Sequence, residues 1–429
     1  MVSVLHITPH LGGGVGSVLL NYINYDLKNS INEHTIATLD YANTNAVEFC
    51  KKNNINLLSD TYKNLTDLLD LIKRADITVI HFWNHPLLYD FLIRNDLPDC
   101  RLIFWAHVSG FIAPYVFPEK IIDMADKFIF TTPISYNVKE VLDYPDKSKF
   151  SAILSTSGVE KYLNIHTKPH KNFNIGYIGT VDYVKMHPQF LKICKNINLP
   201  NVEFTVIGGD NENKLRQECI INSVNNVNIL GKIDNIEPYL SIFDIFAYPL
   251  NPNHYGTAEQ VLQEAMAAGI VPVVFNNPSE SFLVKHLETG LTARNITEYC
   301  EYIKLLYKNE PLRKQLSANC KTYAKKHFSL ASLAEEWNSV FSNILNKPKT
   351  QKSYKRTTGK NYSFYDIFLE SLGTHNEPFV LYLNNNNSSI LAETLKKAEW
   401  QSYSKGTIKH YNKFFEDKTI KKIMELYNE

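Results

Sequence analysis

The chain has 429 residues, 44% of them hydrophobic, with a formal net charge of +1, which is enough material for two ordinary domain cores and something left over. So neutral a balance excludes a strong overall attraction to nucleic acid, and no run approaches the roughly eighteen consecutive apolar residues of a membrane span. Cys50, Cys100, Cys194, Cys219, Cys300 and Cys320 lie far apart with no Cys-x-x-Cys pair, so they read as reduced packing residues and not as a zinc or redox site.

In chain order, Val4, Leu5, His6 and Ile7 open the sequence as a strand, without the basic start and apolar segment of a signal peptide, so a cytoplasmic location is expected. Further β-rich runs at 34–39, 77–82, 101–106, 128–131 and 152–154 alternate with segments of helical spacing, and such alternation means a parallel sheet. Residues 155–171, with Gly158, Pro169 and no sustained apolar period, read as an interdomain linker. The pattern then restarts, with strands expected at 174–178, 203–207, 227–230, 245–248 and 271–275.

A helix is expected at 330–345, followed by a polar, basic stretch at 347–360 that reads as a mobile connector. Helices at 364–372, 390–400 and 418–427 make a small appendage, and the four-Asn run at 384–387 reads as a loop. The expected domains are therefore 1–160, 161–346 and a 347–429 extension. Open α/β sheets bind ligands outside the carboxyl ends of their strands, so two facing doubly wound domains with a cleft between them are expected.

The passage at 244–275 reads as strand, loop, helix, strand. Thr257 with Gln260 fits a capping box, which starts the helix just after Thr257, and Gly269 stops it. The amides near Tyr255, Gly256, Thr257 and Ala258 then suit a diphosphate, and Glu264 further along suits the hydroxyls of a ribose. Glu259 reads as an ordinary acid in the first helical turn. Earlier, Gly12, Gly13, Gly14, Val15 and Gly16 follow the first strand and open a helix, where backbone can approach a phosphate, although the dinucleotide-binding glycine spacing is not met. His107 follows a strong strand and should sit at its carboxyl end.

These residues resemble glycosyltransferase family 4, the retaining GT-B group of the glycosyl transferases group 1, over about the first 345 residues. Glu264 to Gly269 match that family's second-glutamate segment, so the resemblance implies that Glu264 binds ribose. Its first glutamate would fall at Gly256. Gly176 to Thr180 and then Lys185 resemble the strand, turn and lysine that hold the donor diphosphate, with Gly179 at the turn and Thr180 where the family has an arginine. The resemblance also places Gly13, Gly14 and Gly16 beside the sugar-phosphate bond, His107 on the donor sugar, and Ser109 and Gly110 on the acceptor side.

It implies a GT-B fold, α/β with two facing Rossmann-like domains and a C-terminal helical appendage. It also implies a retaining transfer of a sugar from a nucleoside-diphosphate sugar, UDP-sugar favoured, to a hydroxyl of a glycan or lipid-linked acceptor in envelope polysaccharide synthesis. The catalytic set would be His107, Lys185 and Glu264. No Asp-x-Asp cluster marks a metal site, so no metal or other cofactor is expected, and the basic connector suits contact with anionic lipid on the inner face of a membrane. The rival readings are a sugar-nucleotide epimerase or phosphorylase of the same architecture and a non-catalytic scaffold that binds nucleotide sugars; a dinucleotide oxidoreductase fits the glycine spacing worst.

Overall fold

The computed structural model describes residues 2–29, 32–385 and 388–427. It divides into two compact units: Met1–Ser157 together with Leu333–Glu429, and Gly158–Ser332.

The first unit holds β1 (Val2–Thr8), β2 (Asn32–Thr38), β3 (Asn56–Leu58), β4 (Ile77–Phe82), β5 (Leu97–Cys100), β6 (Leu102–Ala106), β7 (Lys127–Phe130) and β8 (Phe150–Ala152). Seven of them form a sheet in the order β3-β2-β1-β4-β6-β7-β8, paired in parallel throughout. Every residue of β4 and β6 is buried, as expected of apolar strands covered on both faces. The strand order reverses between β1 and β4. At such a switch point the flanking loops part, which leaves room for a ligand beyond the carboxyl ends.

The second unit repeats the plan with β9 (Phe173–Ile178), β10 (Val202–Ile207), β11 (Val227–Gly231), β12 (Ile245–Tyr248), β13 (Val271–Phe275) and β14 (Leu291–Ala293). Their order is β11-β10-β9-β12-β13-β14, again all parallel, with the switch point between β9 and β12.

The C-terminal stretch departs from expectation. The helix Leu330–Leu345 forms as predicted, but from Leu333 onward the chain groups with the first unit, so a boundary at 346 is too late. The basic segment is not a loose connector. Thr350–Lys352 forms β15, antiparallel to β5, and its cations are engaged: Lys352 pairs with Asp126 at 2.7 Å and Lys355 with Asp123 at 2.6 Å. Arg356 pairs with Asp96 at 2.5 Å, and Lys349 reaches the Ala75 carbonyl at 2.7 Å. These partners are acids and carbonyls of the first unit, which a reading of local composition does not reveal.

Helices Phe364–Leu372, Ile408–Phe414 and Lys418–Glu425 follow, with Ser388–Lys396 and a short turn Ala398–Trp400 where one helix was expected. The helix Glu377–Asn385 takes in the start of the four-Asn run, while Asn386 and Asn387 lie outside the described residues. The tail packs on the helix Pro86–Arg94, whose residues Pro86 to Ile93 are all buried. Tyr115 donates to the Glu399 carbonyl at 2.8 Å, and the His85 and His410 rings meet edge to face at 4.7 Å. A helix buried on every side needs a covering layer on each side, and the tail supplies the outer one.

Candidate functional site

In the second unit Lys185, Tyr255 and the turn at Gly179 and Thr180 lie at the switch point between β9 and β12. Lys185 follows β9, and its carbonyl accepts from the Asn251 N–H at 2.8 Å, which pins it to the loop after β12. Its ammonium lies 3.0 Å from Glu259 Oε2, and 6.0 and 5.6 Å from the ring centroids of Tyr248 and Tyr255. Burial alone would lower the Lys185 pKa, but the Glu259 charge and hydrogen bond, with Tyr255 and Glu280, together outweigh it and hold the ammonium above its ordinary value. Gly179 and Thr180 follow β9, and the Thr180 carbonyl accepts from the Tyr177 hydroxyl at 2.8 Å.

The helix starts later than the capping box predicts. It runs Gln260–Ala267 with Glu259 at its N-cap, left-handed at φ 32°, so Thr257 and Ala258 are buried loop residues ahead of it. The helix does end at Gly269, which is left-handed at φ 79°, as a helix-terminating glycine should be. Glu264 lies in its second turn and is half-buried. Burial and the Glu264 carboxylate push the neighbouring Tyr162 hydroxyl above its ordinary range.

Glu259 is the main correction. Instead of an ordinary first-turn acid, it is a buried carboxylate that accepts from the Tyr248 hydroxyl at 2.7 Å and ion-pairs with Lys185. Burial would raise its pKa, and Lys185 together with His254 keeps it below the ordinary carboxylate range. A Cβ on Gly256 would stand 1.8 Å from Glu259 Oε1. The space that a side chain at 256 would need is thus filled by the side chain of Glu259, whose carboxylate stands beside Lys185. His254 completes the cluster, accepting the Gly256 N–H on Nδ1 at 3.0 Å and facing Glu280 through Nε2 at 3.0 Å. Sequence reasoning missed His254 and Glu280, because only the fold brings the two together.

In the first unit Gly13 and Gly14 are exposed at the start of the helix Gly13–Asn29, and Gly16 packs on Leu11. His107 stands just beyond β6, its N–H held by the Phe82 carbonyl at 2.8 Å. Gly110 has a packing reason for being glycine: at φ 87° a Cβ would lie 2.3 Å from the Phe117 ring. Ser109 is buried, and its carbonyl accepts from Ser135 at 2.8 Å.

Residues 159–327, which lie within the second unit, match the family model described as glycosyl transferases group 1. The fold is GT-B, shared with a glycosyltransferase from Rickettsia africae (TM-score 0.64, 13% identity, 81% of this chain and 99% of that one). It is shared equally with Anabaena HepE, solved with UDP and glucose (TM-score 0.64, 14% identity, 80% of this chain and 100% of that one). In sequence, 222 residues are 29% identical to a GDP-Man:Man(3)GlcNAc(2)-PP-Dol alpha-1,2-mannosyltransferase of Dictyostelium discoideum, covering 48% of this chain and 41% of that protein. The chain therefore matches well under half the length of this curated relative.

Proposed function

We propose that the chain is a retaining, metal-independent glycosyltransferase that moves a sugar from a nucleoside-diphosphate sugar to a hydroxyl of a glycan or lipid-linked acceptor. A UDP-sugar is the first choice of donor, since HepE was solved with UDP; the GDP-mannose of the Dictyostelium relative is its competitor. The observation that carries this reading is Lys185 held beside Glu259 at the β9/β12 switch point, with Glu264 on the helix that follows.

An ammonium has three N–H donors and Glu259 engages one side of it, so Lys185 can also take an oxygen of the diphosphate. Its charge then stabilises the departing phosphate with no need for a metal. The helix dipole at Gln260 adds to the same field. Glu264 is assigned to the ribose hydroxyls and His107 to a sugar hydroxyl. We assign the protein to glycan synthesis in the cytoplasm. Among the described residues no helix is long and apolar enough to cross a membrane.

The test is thermal shift and slow donor hydrolysis across UDP-, GDP- and ADP-sugars. One donor should raise the melting temperature and be hydrolysed. Lys185→Ala should cut hydrolysis by about 10²–10³-fold, and Glu264→Ala should weaken binding. If no nucleotide sugar shifts the protein the proposal fails, and if one binds without hydrolysis or transfer to any acceptor the scaffold reading replaces it.

A further inference from the structure

Four histidines stand in one hydrogen-bonded row across the sheet of the first unit. Asp26 Oδ2, on the helix Gly13–Asn29, lies 2.9 Å from His34 Nε2; His34 Nδ1 is 3.0 Å from His6 Nε2. His6 Nδ1 is 3.2 Å from His81 Nε2, and His81 Nδ1 is 3.0 Å from His107 Nε2. The residues belong to β2, β1 and β4 and to the end of β6, which are neighbours in the sheet.

The register explains the row. Val4 pairs with His34, His6 with Val79, and His81 with Trp105. Each histidine is thus two residues further along than the partner of the one before. Two residues is the repeat that keeps side chains on one face, so the row climbs diagonally on that face from Asp26 to the carboxyl end of β6. Asp26, His34, His6 and His81 are all buried, and His107 is half-buried at the end of the row. Among the described residues Nδ1 of His107 has no hydrogen-bond partner.

We propose that Asp26, His34, His6 and His81 are positioning residues that lock His107 in the tautomer protonated on Nε2, so that its Nδ1 is presented as a hydrogen-bond acceptor to a hydroxyl of the substrate. The identity of that hydroxyl, on a sugar, rests on the glycosyltransferase reading; the lock itself does not.

The direction follows from the carboxylate end. Oδ2 of Asp26 also takes the Asn32 side-chain N–H at 3.1 Å, so this oxygen acts as an acceptor and His34 must donate from Nε2. A neutral imidazole carries one N–H. Once His34 spends it on Asp26, its Nδ1 can only accept, so His6 donates from Nε2, and the same choice passes through His81 to His107. Burial keeps the later rings neutral: it is the first cause lowering the pKa of His6 and His107, and it takes His81 down to about 3. The opposite order needs an imidazolium inside the row or a proton on Oδ2. A buried carboxylate that sets the tautomer of a working histidine is an effect that can govern turnover without moving a ring.

The test is a two-bond ¹H–¹⁵N spectrum of the full chain labelled with ¹⁵N-histidine at neutral pH, with the His107 signals identified by their loss in His107→Asn. The expected pattern is an Nε2-protonated ring. An Nδ1-protonated or imidazolium pattern overturns the proposal, whatever the activity. In Asp26→Asn, an amide N–H can face His34, and His107 should lose its single tautomer; His81→Phe should do the same by cutting the row. Donor hydrolysis should then fall about tenfold in kcat with KM little changed, the mark of a group that matters more in the transition state than in binding. An unchanged His107 signature in both variants also overturns the lock, and if either does not fold, the wild-type spectrum decides. Should the expected tautomer be found while no nucleotide sugar binds, the lock stands and the glycosyltransferase reading falls.

Discussion

Gly256 and Glu259 show how one residue's identity depends on another's backbone. Glu259 has a left-handed backbone at the N-cap, and from there its carboxylate folds back over Gly256. Helical spacing from Glu264 cannot locate it, because it is not on the helix. Gly256→Glu, which would restore the family pattern, is therefore expected to weaken donor binding and to destabilise the second unit by about 1–3 kcal/mol through overpacking. Urea unfolding and nucleotide titration check this, and improved donor binding would contradict it. Lys185→Met leaves the Glu259 carboxylate buried without its cation and should cost about 3 kcal/mol, with a companion Glu259→Gln change recovering part of the loss. If the double variant is no more stable than Lys185→Met, the pair is not what holds this loop.

At the scale of elements, β4, β12 and β13 occupy the segments their apolar runs predict, because fully buried strands have no solvent-facing alternative. The short strands β3, β14 and β15 were not legible: three residues each give no periodicity. A polar residue inside an apolar strand was the signal available for the histidine row, and His6 and His34 carry it as clearly as His81.

Buried histidines of this kind, in strands, loops and the tail helix, make the fold acid-sensitive. Desolvation holds His81 and His410 at about 3, and His10 at about 4, all below the ordinary 6.5. Between those values and 6.5 the unfolded chain binds protons that the folded chain does not, so stability falls as the pH is lowered through this window. By pH 5 the loss is about 2 kcal/mol for each fully buried histidine, a large share of an ordinary domain's stability. The melting temperature should drop steadily from pH 7 to pH 5, and a flat profile would mean these rings are not held neutral.

Over the whole molecule, the tail is part of the first unit's core. Asn84 donates to the Ser371 carbonyl at 3.4 Å across 287 residues of sequence, and the buried rings of Phe368, Phe379, Trp400 and Tyr411 cluster above the helix Pro86–Arg94. Deleting residues 347–429 should expose that helix and abolish cooperative unfolding of the first unit. A truncated chain that melts cooperatively at the original temperature would show the tail to be dispensable.

The sequence by itself determined the two series of parallel strands and the loops beyond their carboxyl ends, because periodicity is set by neighbours along the chain. Only the tertiary structure decided that Glu259 fills the place of a side chain at Gly256, that four strands align their histidines on one face, and that the basic tail segment spends its charges on the first unit. Each of these is a contact between residues whose separation in sequence, or whose backbone conformation, no local pattern encodes.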